Sequence, residues 1–228
     1  EKLVKLLSEK VVANPKKVLF YSLSVVMISF IGLWFIKVEV NIIKFFKEGT
    51  SIRESTDFID QALSGSMSFI IQAEGNFKKI DNVILLDSLQ KRIQNVGEVS
   101  EIKQSISYAD IIKEFHKNHK EFWDVTDSSI YPKDTELLSQ VVLHTLDNSN
   151  DNVKTRLSSI INKDKNKTLI ISQMKTVSTA KASEIAKIVD SEVSQFKKDT
   201  NSNIVFKTTG LLVFLKDFVK VLLAFFFL

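Results

Sequence analysis

His116 and His119 stand three residues apart with Glu121 close behind, a spacing that sets two imidazoles on one helix face as the start of a metal site. A tetrahedral site needs a third and a fourth ligand, and the sequence supplies no evident pair. The stretch HKNHKE therefore reads as a polar helix end turned to water, and the lone His144 reads as packing or surface. Asn166, Lys167 and Thr168 spell the N-x-T acceptor, which has a chemistry only in a glycosylating host. The surrounding KDKNK, residues 163–167, reads as a solvated turn before a strand. Gly32, Gly49, Gly65, Gly75, Gly97 and Gly210 are isolated from one another, so no glycine-rich loop can cradle a phosphate. The chain has no cysteine, which removes thiol nucleophiles, disulfides and cysteine-ligated zinc. No catalytic, metal-binding or cofactor-binding set is expected, and the chain is not read as an enzyme.

The elements that would position any such residue lie between two apolar runs. Residues 18–36, VLFYSLSVVMISFIGLWFI, carry no charge. A helix of that length spans roughly 28 Å, close to the roughly 30 Å of a bilayer's hydrocarbon layer. The run is apolar on every face, so it is expected to be a transmembrane helix behind a cytoplasmic leader, residues 1–17. A cleaved signal peptide would have a shorter apolar core and an A-x-A site. Lysines on both sides of the run specify its orientation only weakly. The second run, residues 221–228, reads as the start of another transmembrane helix, and residues 211–220 as an interfacial helix leading into it. The sequence thus reads as one unit of a longer membrane protein, with residues 38–210 outside the cytoplasm. Phe45 and Phe46, just past the first run, read as an aromatic anchor at the bilayer surface, or as the lining of a path for an apolar substrate. A net charge of +4, from 31 basic and 27 acidic residues without a basic block, gives no footprint for nucleic acid.

Within 38–210 the pattern predicts α+β structure. Residues 38–43 (VEVNII) have strand-forming types, Gly49 to Ser51 break the pattern, and 57–63 is a short helix closed by Gly65. Residues 67–73 form the first core strand. Ile84, Leu85, Leu89, Ile93 and Val96 recur at helical spacing, with Asp81 as N-cap and Gly97 just past the end. Residues 99–106 alternate as a strand. After a helical insertion over 108–119 and 136–146, broken by Pro132, the same order returns: strand 168–174, helix 178–198, strand 203–207. Two strand-helix-strand units predict helices covering one face of a sheet.

Four stretches in this order carry a resemblance: FFKEGTSIRESTDFIDQALSGSMSFIIQAEG (45–75), LDSLQKRIQNVGEVSEIKQSISYADIIKEFHK (86–117), IYPKDTELLSQVVLHTL (130–146) and the closing TTG (208–210). Together they resemble the extracytoplasmic porter domain of RND-superfamily exporters of the MmpL and hydrophobe/amphiphile efflux type. The lysine-rich leader with NPKK (14–17) resembles the second half of such a duplicated transporter. The resemblance implies a proton-driven exporter of lipids or other amphiphiles in the bacterial inner membrane. Its implied partners are the bilayer, the remaining membrane helices of the parent and a hydrophobic or amphiphilic substrate, with no cofactor. The proton relay would lie outside this chain, because residues 18–36 hold no ionisable group. The low glycine and proline content departs from the family pattern. A two-span receptor or kinase sensor shares the helix-domain-helix topology and is the alternative. Oligomeric state, a homo-oligomer included, and substrate identity are not written in the sequence.

Overall fold

The computed structural model describes residues 11–33, 41–96, 101–118, 130–148 and 151–226. The chain divides into two units, Glu1–Val38 and Glu39–Leu228. The first holds helix α1, Pro15–Leu33. Its large side chains are open on all sides: Leu19 is 70% exposed, Phe20 68% and Ile28 68%. The hydroxyls of Ser22, Ser24 and Ser29 turn back to donate to the carbonyls of Leu19, Phe20 and Val25 at 2.8–2.9 Å, which leaves no side-chain donor reaching outward from these three positions. Among the described residues no helix is long and apolar enough to cross a membrane. The expected span is helical as far as Leu33, and residues 34–36 lie outside those described.

The second unit is α+β. After a 3-10 turn, Ile42–Phe45, it runs α2 (Ser51–Ala62), β1 (Met67–Glu74), α3 (Ile80–Gln94), β2 (Ile102–Ser107), α4 (Tyr108–Asn118), α5 (Thr135–Asn148), α6 (Asp151–Ile160), β3 (Lys167–Met174), α7 (Thr179–Thr200), β4 (Val205–Gly210) and α8 (Leu211–Phe226). The four strands form one antiparallel sheet in the order β2-β3-β1-β4. β3 lies between the two strands of the first strand-helix-strand unit, and β1 lies between those of the second. This double split βαβ is the ferredoxin-like arrangement.

The sheet's inner face is set by alternation along the central strands. Phe69, Ile71 and Ala73 of β1 are fully buried, while Ser68, Ile70 and Gln72 between them are half-exposed. Ile71 pairs with Ile170 and Met67 with Met174, so the buried sets of both strands share one face. Against it pack Val83, Leu86, Leu89 and Ile93 of α3 and Ala182, Ile185, Ala186 and Val189 of α7. Arg92 joins these two helices, its Nε 2.7 Å from Glu192 and its Nη1 2.6 Å from Asp199.

The expected helix-covered sheet is present, with local corrections. Residues 42–45 do not form a strand: Asn41 Oδ1 accepts from the backbone N–H groups of Ile43 and Lys44 at 3.1 and 3.3 Å and winds the segment into a 3-10 turn. Residues 38–40 lie outside those described. α2 begins at Ser51, six residues before the expected start, and β4 spans Val205–Gly210 instead of 203–207. Lys79 stands at the N-cap of α3 and Asp81 in its first turn, where a carboxylate still meets the positive end of the helix dipole. Gly97 lies outside the described residues. β2 carries a bulge between Ile102 and Gln104, which flips the parity: Ile102, Ser105 and Ser107 face inward, so the simple alternation expected for 99–106 fails. Residues 211–226, expected as an interfacial helix followed by a separate membrane run, are one helix. Its Leu212 and Leu215 belong to the core, and Lys216 Nζ lies 2.7 Å from Asp190 of α7.

Candidate functional site

The insertion between β2 and β3 builds the cleft best suited to a ligand. α4 starts directly off β2, with Ser107 Oγ accepting from Ala109 N at 3.2 Å. Its inner face places Tyr108, Ala109 and Ile112 in the core and its outer face presents Ile111 and Phe115. α6 packs against both α4 and β3, with Leu157 and Ile160 inward. Between them lies a cavity of about 420 Å³, walled by Ile106, Ile111, Phe115, Leu157 and Ile160 and edged by Asp110, Glu114 and Arg156. Its size falls in the usual range for small-molecule sites, about 300–1,000 Å³.

The charges at the edge are unequal. Asp110 is spent on internal bonds: Oδ2 accepts from Ser107 N at 2.9 Å and Gln90 Nε2 at 2.7 Å, and Oδ1 pairs with Lys113 Nζ at 2.7 Å. Lys113 also reaches the buried Asp87 at 2.8 Å, and Lys91 reaches the other oxygen of Asp87 at 2.8 Å. Burial alone would push the Asp87 carboxyl up, but the bonds from Lys113, Lys91 and Tyr131 outweigh it and hold the group below its ordinary value. Burial likewise works against the Lys113 ammonium, and its bonds to Asp110 and Asp87 keep it charged, with its pKa raised. Arg156, by contrast, has no ion-pair partner among the described residues. A guanidinium at the rim of an apolar cleft can hold the anionic head of an amphiphile whose tail lies along the wall.

The histidines do not assemble a site. His116 is completely buried in α4, so the helix end expected to be exposed to water is instead partly in the core: the buried Ile112, one turn earlier, puts position 116 on the inner face. His119 and Glu121 lie outside the described residues, as does the side chain of His144. Among the described residues no group of three or more His, Asp or Glu is placed to hold a metal. The KDKNK stretch is the expected turn: Lys165 takes a left-handed backbone, φ 55°, and Asn162 Oδ1 accepts from the backbone N–H groups of Asn166 and Lys167 at 3.0 Å. Phe45 is 75% exposed and Phe46 37%. Half of the cleft was missed because α6 was not expected. Asp151 in its first turn, followed by Val153, Leu157 and Ile160 at helical spacing, was the available signal.

In comparisons with known proteins, no family model matches the chain and no curated protein matches it.

Proposed function

We propose that the chain is part of a proton-driven membrane exporter of RND and MmpL type, supplying its substrate-facing extracytoplasmic domain and moving lipids or other amphiphilic compounds. The observation that carries this reading is the double strand-helix-strand domain that follows the uncharged run 18–36. The segment after the first helix, with Asn41, Lys44 and Phe45, shares a hollow with Thr176 and Val177 just past the end of β3. Met174 at that end pairs with Met67, and Phe69 two residues on pairs with Gly210, where β4 gives way to α8. Entry to β1 and the end of β4 therefore lie at one pole of the sheet, and α8 turns back from there along α7. The resemblance of residues 45–75 and the stretch 18–33 of α1, uncharged and with internally bonded serines, support the same reading. The apolar cleft with Arg156 suits the substrate class.

The turns at Asn76 and Asn166 are neighbours at the opposite pole, where Gly75 N donates to Asn166 O at 2.9 Å. Reporter fusions after each of them in the full-length parent, with further fusions downstream of residue 228, test the reading. Both internal fusions are expected to report outside, with several more spans following. A single entry into the cytoplasm with no return overturns the exporter and favours a two-span sensor.

A further inference from the structure

Among the described residues the apolar face of α2 is largely open, with Ile59 alone half-buried. The helix has no buried residue. At about 100° per residue the apolar residues fill one arc of roughly 140°, with Phe58 at one edge, Leu63 at the other and Ala62, Ile59 and Ile52 between them, and Arg53, Glu54, Asp57, Asp60 and Gln61 take the other side. Ile52 is 53% exposed, Phe58 62% and Leu63 61%. The polar side is the one fastened to the domain. Asp60 Oδ1 accepts from Ser66 N and Oγ at 2.8 and 2.6 Å, and its Oδ2 accepts from Thr176 N at 2.9 Å. Arg53 donates to Phe46 O at 3.3 Å and pairs with Glu48 at 3.1 Å. α2 cannot roll its apolar side inward without breaking the Asp60 bonds.

From this arrangement we infer that α2 is an interfacial helix whose Ile52–Phe58–Leu63 face is seated in the headgroup and upper acyl layer of a bilayer. The inference rests on the membrane reading of residues 18–36. In sequence, α2 begins fifteen residues after the expected span. α2 joins β1 at the pole where residues 41–45 lie beside Thr176 and Val177. The exposed Phe45 and Phe46 and the flanking Lys44 and Lys47 are the residue types that settle at that depth. Its acidic polar side, facing the domain and not the lipid, leaves apolar insertion as the source of affinity. Seated this way, α2 fixes the height and tilt of the sheet above the membrane.

The test uses the whole chain in lipid nanodiscs, with Trp34 and Trp123 replaced by Phe and one new reporter, Phe58→Trp or Gln61→Trp. Lipids brominated near the carbonyl end should quench the Phe58→Trp emission by about twofold or more, and more strongly than lipids brominated near the chain terminus, while Gln61→Trp stays nearly unquenched. Equal response at the two positions, or no quenching at Phe58→Trp, overturns the inference. So does an emission that is blue-shifted without lipid quenching, together with Phe58→Cys cross-linking between copies, because a second chain then covers the face. Trp34 in a Trp123→Phe chain separates the two levels. If Trp34 is quenched from the chain terminus and Phe58→Trp is not, the inference alone falls; if neither is quenched, the membrane reading falls with it.

Discussion

Replacing Asp87 by Asn tests the charge network behind the cleft. The substitution keeps the shape of the side chain and removes the charge that Lys113 and Lys91 both address at 2.8 Å. Lys91 is more than half exposed, so its i,i+4 pair contributes only about 0.3–0.5 kcal/mol. The Lys113 bond is another matter, since Asp87 is 4% exposed and Lys113 21%. A charged hydrogen bond of this kind is worth about 1.5–3 kcal/mol, at the lower end here because Lys113 keeps Asp110. The sum is about 2 kcal/mol at neutral pH, or a drop in Tm of roughly 4–8 °C for a chain of this size. The pH dependence carries its own sign. A carboxylate whose folded pKa is depressed contributes its stability above the unfolded value and loses it as pH falls through the folded one, so wild type and Asp87→Asn should converge in acid. Thermal melts of both proteins at a series of pH values read this directly. A Tm gap that is absent at neutral pH, or that stays constant to the lowest pH at which the wild type folds, refutes the reasoning.

Gly65→Ala should cost more than about 2 kcal/mol, because φ is +100° there and a Cβ would collide with the Met174 carbonyl; a urea melt checks it. Asp60→Ala should cost about 1–3 kcal/mol and speed hydrogen exchange at the amides of Ser66 and Thr176, whose bonds to Asp60 it removes. Those bonds outweigh the upward pull of burial and hold the Asp60 carboxyl below its ordinary value, so their protection should be full at neutral pH and fade in acid, as exchange rates corrected for intrinsic pH dependence will show. Leu212→Ala should destabilise by about 2–5 kcal/mol, since that side chain is fully buried; a shift below about 0.5 kcal/mol in a urea melt would mean that α8 is not part of the core.

The strands and helices that could be read from the sequence are those whose burial follows one period. Phe69, Ile71 and Ala73 alternate without interruption, and β1 emerges one residue longer than expected. α7 repeats Ala182, Ile185, Val189, Val193 and Phe196 at helical spacing, with Ser178 capping it through a bond from Lys181 N. What failed depended on events no period records. A bulged residue in β2 moved the buried set to the other parity. A single Asn41 side chain wound Ile42–Phe45 into a 3-10 turn. The cleft was hidden for another reason: its walls come from residues 50 positions apart, and the bond that holds its edge, Gln90 to Asp110, joins two elements whose approach only the fold decides. Strand order was equally out of reach, because either unit alone is compatible with adjacent parallel strands.

That order has a cost in time. β1 and β2 are not neighbours, and neither are β3 and β4, so neither half of the domain can form sheet on its own. Met67 must wait for Met174, about a hundred residues later in synthesis. At about 5–20 residues per second, a strand with Phe69, Ile70 and Ile71 in succession stays without its neighbour for roughly 5–20 s. High contact order slows the closure further. The nascent chain is thus committed to an interval in which an apolar central strand is exposed, and a truncation anywhere before β3 should leave an aggregating fragment in place of a smaller domain.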